Sequence, residues 1–227
     1  NFKFLKPYII AERGSNFNQS IDLAFKLITS AKNAGADAVK FQLFNAKKMY
    51  PNDKKMFSLF NSIELNKNWI PKLKKFSESL GVDFLVSPFD IDSAKTLKKN
   101  NLAGYKIASS ELTNIKMVNY LSSIKKPLFV STGMSDLIDV KNALKILKKN
   151  KNNKIVLMQC GSMYPLPEKF TNLRVLDTFK KFKLQLGFSD HTKGIFSAIV
   201  AIGLGAMIFE IHFTFCKHSQ GPVHFFA

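Results

Sequence analysis

Eight short apolar runs rich in β-forming residues, alternating with segments of helical periodicity, constrain this chain more than any other feature of its sequence. The runs are Tyr8–Glu12, Ala38–Leu43, Asp83–Ser87, Tyr105–Ser109, Pro127–Thr132, Lys154–Cys160, Leu184–Asp190 and Met207–Phe213. Between them Ile21, Ala24, Phe25, Ile28 and Ala31 recur on one helical face, as do Trp69, Leu73, Phe76 and Leu80, and again Leu137, Val140, Leu144 and Leu147. Gly35 and Gly81 stand where a left-handed C-terminal cap ends a helix just before a strand. Strand–helix alternation implies a parallel sheet. Eight such strands within 227 residues predict one closed α/β barrel of the (β/α)8, or TIM, type rather than an open doubly wound sheet. No glycine-rich dinucleotide turn follows the first run, which also disfavours the open sheet. The connection Asn45–Asn68, with Pro51 and two short helical patches, is expected to form a lid or insertion. About fourteen residues follow the last run, so the eighth helix is expected to be missing and residues 1–227 to be a single barrel domain, truncated at its C-terminus.

Composition narrows the class further. Lys and Arg number 34 against 16 Asp and Glu, a formal net charge of +18, but only Arg13 and Arg174 are arginines. The lysines are scattered with asparagine through helical stretches, without interleaved aromatics or a recognised binding motif, so they read as a solvated surface rather than a nucleic-acid site. They would still draw anionic small molecules toward the protein. The apolar runs fall far short of the ~20 residues needed to cross a bilayer. Two cysteines, Cys160 and Cys216, are too few for a disulfide framework, and no secretory leader is recognisable, so a cytoplasmic location is expected.

Alternation within the strands locates the chemistry, because successive side chains point to opposite faces. Val39, Phe41 and Leu43 oppose Lys40 and Gln42; Phe209, Ile211 and Phe213 oppose Glu210 and His212; Tyr105 and Ile107 oppose Lys106; Leu128 and Val130 oppose Ser131. Gln185, Gly187, Ser189 and His191 fall on one line. If the apolar faces meet the helices, the barrel interior receives Glu12, Lys40, Gln42, Lys106, Ser131, Ser189, His191, Glu210 and His212. A structural interior would be filled with Val, Ile and Leu; polar residues near the strands' C-terminal ends lie where barrel enzymes work. Taken singly each polar group has a structural alternative, an ion pair of Lys106 with Glu210 being the natural one.

His191 and His212 end adjacent strands, whose spacing of ~4.8 Å lets both imidazoles reach one ion. Two nitrogen ligands with open positions suit a catalytic divalent ion such as Mn²⁺ or Zn²⁺. Lys40 and Lys106, with Ser109, Ser131 and Ser189, offer charge and hydroxyl donors to a phosphate or carboxylate.

The residues also carry a resemblance. Ile10-Ala-Glu-Arg-Gly-Ser-Asn16, Ala34-Gly-Ala-Asp-Ala-Val-Lys-Phe-Gln42, Tyr105-Lys-Ile-Ala-Ser109, Ser131-Thr-Gly-Met134, Gly187-Phe-Ser-Asp-His-Thr192, Glu210-Ile-His-Phe-Thr214 and Gly221-Pro-Val-His224 together resemble the sialic acid (N-acetylneuraminate) synthase family. The motifs run in order through the whole chain. The resemblance implies a TIM barrel, condensation of phosphoenolpyruvate with N-acetylmannosamine or a related amino sugar, release of phosphate, and a homodimer in which a second, antifreeze-like domain helps close the sugar site. It implies Mn²⁺, or Mg²⁺ or Zn²⁺, on His191 and His212. Lys40, Gln42, Lys106, Ser109, Ser131 and Ser189, with Ser87 as a further contact, would hold phosphoenolpyruvate. Glu12 would contact the sugar and assist proton transfer, and Tyr164 would line the sugar side.

Departures from the family pattern are specific. Phe17 and Gln19 stand where the family usually has His and Gly, Arg13 where it has an apolar residue, and Val223 where it has Asp. Two other readings stand beside this one: a related barrel that condenses phosphoenolpyruvate or another phosphorylated acid with a different aldehyde, and a degenerate barrel that binds ligand or partner without turnover, for which Val223 and the expected truncation speak. The expectation for these 227 residues alone is binding with poor turnover, and an apolar outer face of the last strand, Phe209, Ile211 and Phe213, left bare.

Overall fold

The computed structural model describes residues 3–14 and 16–214. Eight parallel strands close on themselves in sequence order: β1 (Tyr8–Glu12), β2 (Ala38–Leu43), β3 (Asp83–Pro88), β4 (Gly104–Ile107), β5 (Leu128–Ser131), β6 (Ile155–Cys160), β7 (Gln185–Asp190) and β8 (Ile208–His212). β8 returns to β1, with Tyr8 opposite Ile208 and Glu12 opposite His212. The helices are α1 (Ile21–Asn33), α2 (Ala46–Met49), α3 (Lys54–Asn61), α4 (Ile70–Ser79), α5 (Ile91–Lys99), α6 (Ile115–Ser123), α7 (Leu137–Lys149), α8 (Val175–Lys180) and α9 (Phe196–Gly203). The eight-strand barrel expected from the alternation is present, and the two short helices α2 and α3 lie in the Asn45–Asn68 connection. The expectation of a missing eighth helix, and Val223 with it, falls on residues 215–227, outside the described residues.

Local chemistry sets the helix boundaries. Ser20 caps α1 by accepting from the Leu23 N–H, and Asp136 starts α7 with a reciprocal capping box through Asp139. Gly35 follows α1 at φ +87° and Gly81 follows α4 at φ +68°, the left-handed conformation that ends each helix before its strand.

Two apolar layers result. The larger lies between strands and helices and contains Val39, Phe41, Tyr105, Ile107, Val130, Phe188 and Phe209. The smaller plugs the barrel interior: Ile10, Ala38, Leu85, Phe129, Val156, Met158 and Ile208, with Phe4 and Tyr8 packed against it. Burying its Ile, Leu, Phe, Val and Met side chains stabilises by ~1.5–3 kcal/mol each, so the plug closes the base of the barrel while the polar residues of the same interior faces lie toward the other end.

The outer face of β8 departs from expectation. Phe209 is 1% exposed, because the registers set it beside Ile9 of β1 and Phe188 of β7, whose outward side chains share its core. Phe213 is half-buried beneath the guanidinium of Arg13, 4.0 Å from its ring centre, and only Ile211 of the three is exposed. Exposed apolar surface gathers instead on α9, at Phe196, Ile199 and Val200. Among the described residues no helix is long and apolar enough to cross a membrane.

Candidate active site

The inward faces of the strands continue upward from the apolar plug into charge. Register places Lys40 beside Glu12, Gln42 beside Ser87, and Ser189 beside both Cys160 and Glu210. Strand pairing and barrel closure thus bring together residues separated by up to two hundred positions. They line a cavity of about 270 Å³ at the C-terminal mouth. Larger hollows exist, about 970 Å³ at the N-terminal end of the barrel, about 530 Å³ beside the α2–α3 connection and about 400 Å³ beside Phe25 of α1 and Phe76 of α4. None of them contains the convergent buried acids, lysines and imidazoles of the smaller one, so chemistry rather than size selects the site.

Four buried charges alternate in sign. The Lys40 ammonium is in direct ionic contact with Glu12, lies 3.8 Å from Glu210, and donates to the Ser87 hydroxyl at 3.0 Å. Lys106 lies 3.6 Å from Glu210, which also accepts from the Ser189 hydroxyl at 2.9 Å. The Lys106–Glu210 ion pair named above as a structural alternative is therefore real, and it is part of the cavity wall. Glu12 Oε1 accepts from the Gly14 N–H at 2.6 Å and from Gln42 Nε2 at 3.4 Å. Burial alone would raise the Glu210 pKa, but Lys106 and Lys40 hold it below the usual carboxylate range. Burial likewise opposes charge on Lys40, yet the two glutamates raise its pKa; Lys106, with one close carboxylate and Lys40 nearby, is lowered by its burial.

The two histidines occupy the rim. His191 and His212 have ring centres 5.2 Å apart. Burial is the main cause that lowers both to about 4, so both rings are neutral at pH 7. Tyr164 packs tilted against His191, ring centres 4.1 Å apart, and meets His212 edge-on at 5.6 Å.

All the residues singled out from sequence line this cavity except Ser131. Ser131 shares the inward face of β5 with Phe129 and is fully buried, its hydroxyl without a hydrogen-bond partner, but it does not reach the cavity wall. Ser109 follows β4 in a short 3-10 turn rather than ending the strand, and its hydroxyl accepts from the Gly133 N–H at 3.0 Å. The lining also includes Glu210, expected above only as an interior ion-pair partner, and Cys160, Ser162, Met134 and Phe89, given no role above. Alternation along β6 through Val156 and Met158 leads inward to Cys160, just as alternation along β8 sets Glu210 inside. Ser162 lies in the turn after β6, where no strand periodicity marks it.

Sequence comparison decides the family: residues 27–227 match the NeuB family. The chain belongs to that family. An uncharacterised protein of Methanocaldococcus jannaschii is 38% identical over 96% of this chain and 65% of its own length. N,N'-diacetyllegionaminic acid synthase of Campylobacter jejuni is 37% identical over 96% of this chain and 71% of its own. The NeuB-family chain thus spans about two thirds of the length of these curated relatives. Among solved structures, the N-acetylneuraminic acid synthetase of Leptospira borgpetersenii superposes with a TM-score of 0.94 at 31% identity, covering 98% of this chain and 78% of that one. A truncated 3-deoxy-D-arabino-heptulosonate 7-phosphate synthase of Thermotoga maritima shares the barrel fold, TM-score 0.74, at 12% identity, over 96% and 79% of the two chains.

Proposed function

We propose that this chain condenses phosphoenolpyruvate with N-acetylmannosamine or a related amino sugar, giving a sialic-acid-type nonulosonic acid and phosphate. The observation that carries the reading is one buried mouth that combines two lysines and several hydroxyls with two neutral imidazoles. Lys40 and Lys106 are the cations for the phosphate and carboxylate; Ser87, Ser109, Ser189 and Gln42 are the hydrogen-bonding partners around them, with Ser131 beneath. Glu210 holds both ammonium groups inward, and Tyr164 faces the acceptor.

A divalent ion fits the donor set. Neutral imidazoles are the form that ligates metal, and two of them leave positions open for water or substrate. Among the described residues no group of three or more His, Cys, Asp or Glu is placed to hold a metal, so His191 and His212 would be the protein's contribution. When bound, Mn²⁺ or a similar ion would supply Lewis acidity toward the acceptor's open-chain aldehyde.

The chain's own groups account for the rest. Lysines that fix both anionic ends hold C3 of the enol toward the aldehyde carbon. The C2=C3 π pair forms the new bond to the aldehyde carbon, whose oxygen takes a proton and becomes a hydroxyl. Water adds at the electron-poor C2, and the C2–O bond to phosphate breaks as the added hydroxyl gives its proton to the leaving phosphate and becomes the keto oxygen. Glu12, anchored by the Gly14 N–H, is positioned to take the proton released by the adding water. Phosphate release from phosphoenolpyruvate, scored across a panel of hexosamines, tests the reaction. Release that requires an N-acetylated amino sugar supports it; release with unrelated aldehydes only, or binding with no release by any acceptor, replaces it with one of the two alternatives raised above.

A further inference from the structure

The turn that follows β6 grips His191 at three points. The imidazole Nδ1 lies 2.5 Å from the carbonyl oxygen of Gly161. The ring of Tyr164 lies over the imidazole, with ring centres 4.1 Å apart and planes inclined by 32°. The backbone N–H of Leu166 donates to the carbonyl oxygen of His191 itself at 2.7 Å. A carbonyl oxygen can only accept, so Nδ1 is the protonated nitrogen of the neutral ring and Nε2 keeps its lone pair. His191 is one of the residues that line the mouth cavity.

Glycine at 161 is part of this grip. A Cβ at that position would collide with Cδ2 of the buried Leu166 side chain and stand 2.8 Å from its Cδ1. Leucine fills the space that any larger residue at 161 needs, so a side chain at 161 forces either Leu166 or the turn that carries the carbonyl to shift.

We propose that Gly161, Tyr164 and Leu166 form a positioning element that locks His191 in its Nδ1-protonated tautomer and sets its ring plane, presenting Nε2 for ligation. The functional consequence rests on the reading of His191 as a metal ligand; the tautomer does not. Outer partners of this kind typically change metal affinity by ~10–100-fold when lost.

Nitrogen NMR of histidine-labelled, metal-free protein reads the tautomer directly, and Mn²⁺ titration reads its consequence. Wild type is expected to show His191 with Nδ1 protonated. Gly161→Ala should mix in the other tautomer and weaken Mn²⁺ binding about tenfold or more. Gly161→Ala combined with Leu166→Ala removes the colliding atoms and should restore both. Tyr164 is exposed enough to vary without unfolding the barrel: Tyr164→Phe should keep affinity and Tyr164→Ala lose it. A correct tautomer pattern across these variants with no Mn²⁺ binding in any of them would retain the positioning element and remove the metal reading. A His191 protonated on Nε2 in wild type, or a Gly161→Ala variant with unchanged tautomer and affinity, would overturn the inference.

Discussion

Lys106 and Glu210 stand 3.6 Å apart across the barrel interior, although their strands, β4 and β8, are on opposite sides of the closed sheet. Their side chains are 4% and 7% exposed, so Lys106 relies on Glu210 for its countercharge, while Glu210 is shared between Lys106 and Lys40 at 3.8 Å. Breaking a buried pair leaves an uncompensated charge and typically costs ~3–5 kcal/mol. Glu210→Gln and Lys106→Met are each expected to lower unfolding stability on that scale, and the double variant to lose less than the sum. Urea denaturation of ligand-free protein checks this; strictly additive losses would show that the two groups do not support each other.

The histidines give stability a pH dependence in metal-free protein. Burial lowers both from 6.5 to about 4. The unfolded chain therefore binds more protons between those values, so the contribution is fully present above pH 6.5 and is lost as pH falls toward 4. On the order of 2–3 kcal/mol per histidine is at stake. The urea midpoint should drop steeply from about pH 7 to about pH 5, and His212→Gln should flatten that drop. An equal slope in the variant would assign the acid sensitivity to other groups.

Much of this arrangement is legible in the sequence because a strand's period of two is unaffected by distant context. Phe209 and Ile211 flanking Glu210, or Val39 and Phe41 flanking Lys40, mark inward residues from the order of side chains alone. What the period cannot supply is height along the barrel and contact across it. Ser131 is inward yet stops short of the cavity wall, since depth depends on the stagger between neighbouring strands. The reach of Lys40 to both Glu12 and Glu210 depends on barrel closure. The burial of Phe209 depends on the side chains of β1 and β7 beside it. Ser162 and the Gly161 carbonyl belong to a turn, where no repeating pattern operates.

Metal stoichiometry separates ligands from bystanders. One Mn²⁺ per chain is expected for wild type and none for His212→Ala, measured by titration after chelator treatment. Because His212 is neutral and half-buried at the rim, the variant should fold, which a far-ultraviolet spectrum checks. Unchanged stoichiometry would place the ion elsewhere.

The central claim is that the mouth of this barrel holds phosphoenolpyruvate through Lys40 and Lys106. Charge-assisted hydrogen bonds contribute ~1.5–3 kcal/mol each, so losing one should weaken binding by roughly tenfold or more. Calorimetric titration of phosphoenolpyruvate into wild type, Lys40→Ala and Lys106→Ala is the most direct measurement. Saturable binding to wild type with at least a tenfold loss in Lys106→Ala is the expected result. Equal affinity in all three proteins, each shown to be folded, would contradict it and leave both lysines as counter-ions to Glu12 and Glu210.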